Sequence, residues 1–173
     1  MRAIAAKTRG RRRQGLTTVE LVIALAALAV LATIALPSFG SLLGRHRLVA
    51  AAEILAADLS LARLQSAQSG HALHVVLQPG DDWCWAVART PGCDCRAQAV
   101  PACALKTVGA VELPGVRLQA DSDAHFAPDA RPQSRVEAVL ATRDGDQTLQ
   151  VRLSPLGRAS ICSPTSVRGY PHC

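Results

Sequence analysis

Aromatic side chains are scarce in this chain: two Trp, two Phe and one Tyr make up 3% of its 173 residues. With 49% of residues apolar a sizeable core is still within reach, but Ala, Leu and Val must do most of the packing. The length leaves room for one globular domain plus an extended element, not for two full domains. Catalytic signatures are missing as well. His46, His71, His74, His125 and His172 form no H-E-x-x-H pair. There is no G-x-S-x-G elbow, no phosphate-cradling glycine loop and no carboxylate pair at telling spacing. The scattered histidines fit polar surface or strand positions. The chain therefore reads as a non-enzyme, with no cofactor and no metal.

Acidic residues are absent from the first fifteen positions, which hold Arg2, Lys7, Arg9, Arg11, Arg12 and Arg13. The whole chain has 19 basic and 13 acidic residues, a net charge of +6. Without the six leader cations the remainder is neutral. The basicity is thus a topology signal, because positive flanks stay in the cytoplasm, which counts against a general polyanion-binding protein.

Charge of either sign is also missing from Leu21 to Gly44, and LVIALAALAVLATIAL (21–36) is apolar except for Thr33. That run is long enough, or nearly so, to span a bilayer as a helix. A Sec signal peptide cut near Ala35 would share the basic start and the apolar run. Three features oppose it. Glu20 stands at the mouth of the apolar run, where a carboxylate is costly and usually functional. Gly15 precedes an apolar residue and two threonines. The helical pattern also continues, with Leu48, Ala52, Leu55, Leu59 and Ala62 in one stripe. Ile54 and Leu61 fall on another side with no obvious partner, which suits a helix with neighbours on two sides. A helix from about Thr17 to Ser69, ended at Gly70, would be roughly 80 Å long. Pro37 should kink or locally open it.

Gly15-Leu16-Thr17-Thr18-Val19-Glu20-Leu21, the apolar helix and Leu36-Pro37-Ser38 together resemble the class III signal of type IV pilins and pseudopilins. The resemblance implies that a prepilin peptidase cuts after Gly15 on the cytoplasmic side and methylates the new N-terminal amine of Leu16, where the family usually has Phe. It also implies assembly through Glu20 and Pro37, with Glu20 pairing with the N-terminal amine of a neighbouring subunit in a low-dielectric helix bundle. The expected organisation is a leader (1–15), a membrane-spanning and filament-core helix (16–44), an amphipathic helix on the head (45–70), and a β-rich periplasmic head (71–173). The localisation implied is a single-pass inner-membrane protein that later enters a pilus or pseudopilus. Its partners would be other pilins or pseudopilins, the prepilin peptidase and the inner membrane.

Beyond Gly70 the apolar period changes to two. Strands are expected at 72–77, 83–88, 116–120, 135–142, 147–154 and 158–162, with turns at Pro79–Asp82 and Arg143–Asp146. The plan is α+β, the stripe of the helix laid on an antiparallel sheet. Trp83 and Trp85 share one side of a strand and belong to the core, as does Phe126. The stretch 55–77, the two tryptophans, Phe126-Ala127-Pro128 and Leu153–Arg158 resemble the FimT/GspH branch of the minor pilins.

Six cysteines, Cys84, Cys93, Cys95, Cys103, Cys162 and Cys173, all follow the apolar segment, which fits disulfides in an oxidising periplasm. The first four lack the C-x₂₋₄-C knuckles of a zinc site. Cys93 and Cys95 are too close in sequence to suit each other, so each should reach Cys84 or Cys103. Cys162 and Cys173 should close a C-terminal loop. Arg152, Arg158 and Arg168 make the tail locally positive. Some FimT members are associated with DNA uptake through Gly-Arg-x-Arg; here Gly157-Arg158-Ala159-Ser160 lacks the second arginine. Two alternatives therefore stand beside the structural pilin or pseudopilin subunit. One is a DNA-binding minor pilin, and the other is a Sec-secreted disulfide-rich binding domain.

Overall fold

The computed structural model describes residues 17–96, 101–120 and 122–173, with only the helical backbone at 34–39. Two compact units divide at Phe39/Gly40. One helix, α1 (Thr18–Ser69), contributes to both, matching the helix expected from about Thr17 to Ser69. Thr17 caps its start, accepting at Oγ1 from the Glu20 backbone N–H at 3.2 Å. Gly70 N–H closes its end on the Ser66 carbonyl at 3.0 Å. The kink expected at Pro37 concerns a side chain outside the described residues.

In the first unit every described helical position from Thr18 to Thr33 is exposed. Among the described residues no helix is long and apolar enough to cross a membrane. The stretch 16–44 expected to do so has described side chains only at 17–33 and 40–44.

In the second unit the described part of α1 packs on eight strands arranged as two antiparallel sheets. The first sheet has the order β3-β2-β1-β5 and the second β4-β6-β7-β8. The strands are β1 (Leu73–Gln78), β2 (Cys84–Ala88), β3 (Ala104–Gly109), β4 (Val116–Ala120), β5 (Ala124–Phe126), β6 (Val136–Thr142), β7 (Thr148–Leu153) and β8 (Ala159–Cys162). The single sheet of the sequence reading is thus corrected to two. Their inner faces meet α1 through Leu48, Ala52, Leu55, Leu59 and Ala62, each fully buried, so the expected stripe is the packing face. Trp83, Trp85 and Phe126 are buried, and the two indoles stack at 5.3 Å. Trp83 Nε1, just before β2, donates to the Val116 carbonyl at 2.7 Å, tying the start of β2 in one sheet to β4 of the other.

Two strands were not expected. β5 is only three residues long, too short for a period to show. β3 carries Lys106 facing inward, and its register with β2 shifts between Val87 and Ala88, so its apolar alternation is broken.

Candidate functional site

Gly15 and Leu16 lie outside the described residues. Glu20 is exposed at the first turn of α1, where Thr17-x-x-Glu20 has the form of a capping box and a carboxylate complements the helix dipole. Farther along, α1 carries a second apolar stripe. Ala50, Ile54, Ala57, Leu61 and Leu64 repeat the four-three-four-three spacing of the core stripe two residues on. Two residues rotate the face by about 200°, so its first members, Ala50 and Ile54, still pack against the core while the later ones turn away from it. Ala50 and Ile54 are half-buried at its rim, whereas Ala57, Leu61 and Leu64 are exposed, Leu64 at 54%. Of the two positions expected to lack a partner within the chain, Ile54 packs against the core after all, whereas Leu61 is exposed.

The core face also holds an acid that sequence reasoning passed over. Asp58 is buried, its side chain 3% exposed. Trp85 Nε1 donates to its Oδ2 at 2.9 Å, and Lys106 Nζ to its Oδ1 at 2.6 Å. Helix and first sheet are therefore joined by a charge-assisted clamp as well as by apolar contact. The inward Lys106 that obscured β3 exists for this pairing. A signal was available: a buried Trp N–H requires an acceptor, and Asp58 sits three residues after Leu55 on the packing face.

All six cysteines are paired, as Cys84–Cys95, Cys93–Cys103 and Cys162–Cys173. The first two bridges hold the loop after β2 over the outer face of the first sheet, where Val76, Ala86, Ala88 and Ala104 form a small second core with the sulfurs. Closing the tail loop through Cys162–Cys173 is worth about 2–3 kcal/mol in chain entropy.

The three tail arginines are not brought together. Arg152, on β7, is 3.4 Å from Glu137 of β6. Arg158 follows Gly157, whose carbonyl accepts from Arg63 Nη1 at 3.4 Å. Gly157 has φ +75°, and a Cβ there would lie 2.7 Å from Arg63 Nε, so any other residue would take a strained backbone and push the Arg63 side chain aside. Arg168 instead lies beside Arg45, whose Nη2 donates to its carbonyl at 2.9 Å. Arg63 and Arg45 are eighteen residues apart on α1, about 27 Å of helix.

The tail closes against α1 at this second place. Tyr170 donates its hydroxyl to Glu53 Oε1 at 2.8 Å. Burial, then the bond to Glu53 and its charge, push the phenol up to about 12, against an opposing effect of Arg45.

Two of the scattered histidines take the strand positions expected of them and are cross-strand partners. His74 of β1 faces His125 of β5, and the rings stack at 4.4 Å. Burial, then the neighbouring His125, holds the His74 pKa below 6.5, with Asp123 opposing. A depressed folded pKa makes the unfolded chain bind more protons, so this stability is present above pH 6.5 and lost as pH falls through the folded value. Urea unfolding at about pH 7.5 and about pH 5 should show a larger loss on acidification for the parent than for His74→Gln. Equal losses would remove His74 from the acid response.

No family model matches this chain, and no curated protein does. Two solved structures do, both crystal forms of the Pseudomonas aeruginosa type IV minor pilin FimU. One is 18% identical with TM-score 0.53, covering 71% of this chain and 92% of that one. The other is 16% identical with TM-score 0.50, covering 68% and 94%. The fold is that of a minor pilin. The minor-pilin-like architecture accounts for a helix whose core stripe is covered by the head. Among the described residues no cluster of three or more His, Cys, Asp or Glu side chains could hold a metal ion.

Proposed function

We propose that the protein is a structural subunit of a type IV pilus, or of the closely similar type II secretion pseudopilus. On this reading it is made with a leader ending at Gly15 and cut and methylated by a prepilin peptidase. It is held in the inner membrane by the apolar helix with its head in the periplasm, and assembled with other pilins. The observation that carries the reading is the second apolar stripe of α1. Ala57, Leu61 and Leu64 expose apolar surface at helical spacing, and such a face is covered by another helix in an assembled state. The minor-pilin-like fold supports a structural rather than a catalytic role, and FimU is itself a type IV minor pilin. The apolar positions from Leu21 to Thr33, every one exposed, support both the membrane anchor and the filament core.

DNA capture draws no comparable support. Arg152 is held by Glu137, and Arg158 and Arg168 sit at separate places on the head, so few phosphates would be engaged at once.

The test is the mature N-terminus and the fate of a Glu20 variant. Mass spectrometry of the membrane-extracted chain should find Leu16 as the first residue, N-methylated. Glu20→Gln, which keeps the side chain's size but removes its charge, should be processed normally yet enter filaments poorly. A mature chain beginning beyond Leu36 would instead indicate Sec processing and a released head.

A further inference from the structure

The disulfide-closed tail places Arg168 beside Arg45 although 123 residues separate them. The tail's path is fixed at several points. Ser163 is buried and its N–H donates to the Pro171 carbonyl at 2.8 Å. Val167 is buried as an anchor, its N–H bound to Ser163 Oγ at 2.9 Å. Ser166 and Gly169 take left-handed conformations, φ 58° and 96°, which turn the chain so that Arg168 reaches α1. The result is a groove of about 510 Å³ whose lining includes Leu42, Val49 and Tyr170 together with Arg45, His46 and Arg168. Glu53 also lines it but already accepts the Tyr170 hydroxyl. Among the described residues neither Arg45 nor Arg168 has an ion pair.

We propose that this groove binds the phosphodiester headgroup of an anionic phospholipid, with the Arg45 and Arg168 guanidinium groups on the phosphate and Leu42, Val49 and the Tyr170 ring against the glycerol and upper acyl chain. This rests on the membrane reading above. Arg45 is the first charged residue after the uncharged stretch that ends at Gly44, so the groove lies where an anchoring helix leaves the hydrocarbon. Exposed Leu42 and Leu43 come first, 52% and 42% accessible, followed by the cations. That order matches hydrocarbon followed by phosphate. Guanidinium forks bind phosphate oxygens in pairs, and a tyrosine with an apolar body and a polar tip belongs at that depth. The phenol keeps its proton, pushed up to about 12, and stays a neutral donor to Glu53. These two cations do not contradict the orientation, since the leader carries six on the other side.

The experiment uses the full chain in mild detergent, titrated with phosphatidylglycerol or phosphatidylcholine, with bound lipid read by native mass spectrometry. Each arginine near an anionic headgroup is worth about fivefold in affinity, so phosphatidylglycerol should be retained at least about tenfold better than phosphatidylcholine. The choline cation of the latter is repelled by the same arginines. Arg168→Gln, which leaves the backbone bond from Arg45 in place, should lower the preference about fivefold, and Arg45→Gln/Arg168→Gln should abolish it. Arg135→Gln/Arg158→Gln removes the same charge elsewhere on the head and should change nothing. An unchanged preference in Arg45→Gln/Arg168→Gln, or an equal loss in the charge-matched control, would overturn the proposal. Release of phosphatidylglycerol by inorganic phosphate at constant ionic strength would assign the groove to free phosphate and refute the lipid. Displacement by a short DNA duplex would refute it in favour of nucleic acid. A chain that fails to float with vesicles of either lipid would refute the membrane reading and this proposal together, whereas flotation without lipid preference would refute this proposal alone.

Discussion

Asp58→Ala should cost about 3–4 kcal/mol of stability, more than any other single polar substitution in the head. The carboxylate is buried and holds the Trp85 indole N–H and the Lys106 ammonium at once. Its removal leaves the indole N–H without an acceptor in the core, while Lys106, with a side chain 44% exposed, can turn to water. The cost therefore comes from the stranded donor, the small cavity and the lost charge-assisted bond. Asp58→Asn retains an acceptor for Trp85 and should lose about half as much. Lys106→Met removes the ammonium but keeps the stem, and a cycle with Asp58→Asn should show a coupling of at least about 1 kcal/mol. Urea unfolding of the four proteins checks this, and purely additive losses would mean that the Asp58–Lys106 pair has no energy of its own.

The second large effect is on assembly rather than stability. Leu61→Arg/Leu64→Arg places two charges in the exposed stripe, where the side chains are 41% and 54% accessible. The isolated subunit should unfold within about 0.5 kcal/mol of the parent, because both sites face solvent. Its incorporation into filaments should fall by at least about tenfold, since each unpaired charge desolvated at an apolar interface costs several kcal/mol. Retained stability with lost incorporation separates an interface role from a folding role.

Helix, core stripe and bridges were legible because each is a local or compositional signal. The four-three spacing of Leu48, Ala52, Leu55, Leu59 and Ala62 marks the packing face wherever the partner comes from. Gly145 between two alternating runs fixes the β6–β7 hairpin. The division into two sheets was not legible, because it depends on which strands pair across long sequence separations. β5, for example, joins β1 rather than β4. Asp58 was hidden for a related reason: a lone acid on a helix reads as solvated until its donors are placed, and they come from β2 and β3. The tail arginines were grouped by proximity in sequence, but the turn before β8 sets Gly157, beside Arg158, against one stretch of α1 and the Cys162–Cys173 loop sets Arg168 against another. The connectivity of the first four cysteines required the loop to be laid over its sheet.

On the proposed role, neighbouring subunits cover the far face of α1. Because all six native cysteines are paired, an introduced thiol is the only free one in the chain. Filaments built with Leu61→Cys should resist a soluble maleimide and give intersubunit crosslinks with a short bifunctional reagent. Filaments built with Val111→Cys, at a position 94% exposed in the head, should be labelled freely. Maleimide labelling of Leu61→Cys in intact filaments as fast as Val111→Cys, with no crosslink, would contradict the account.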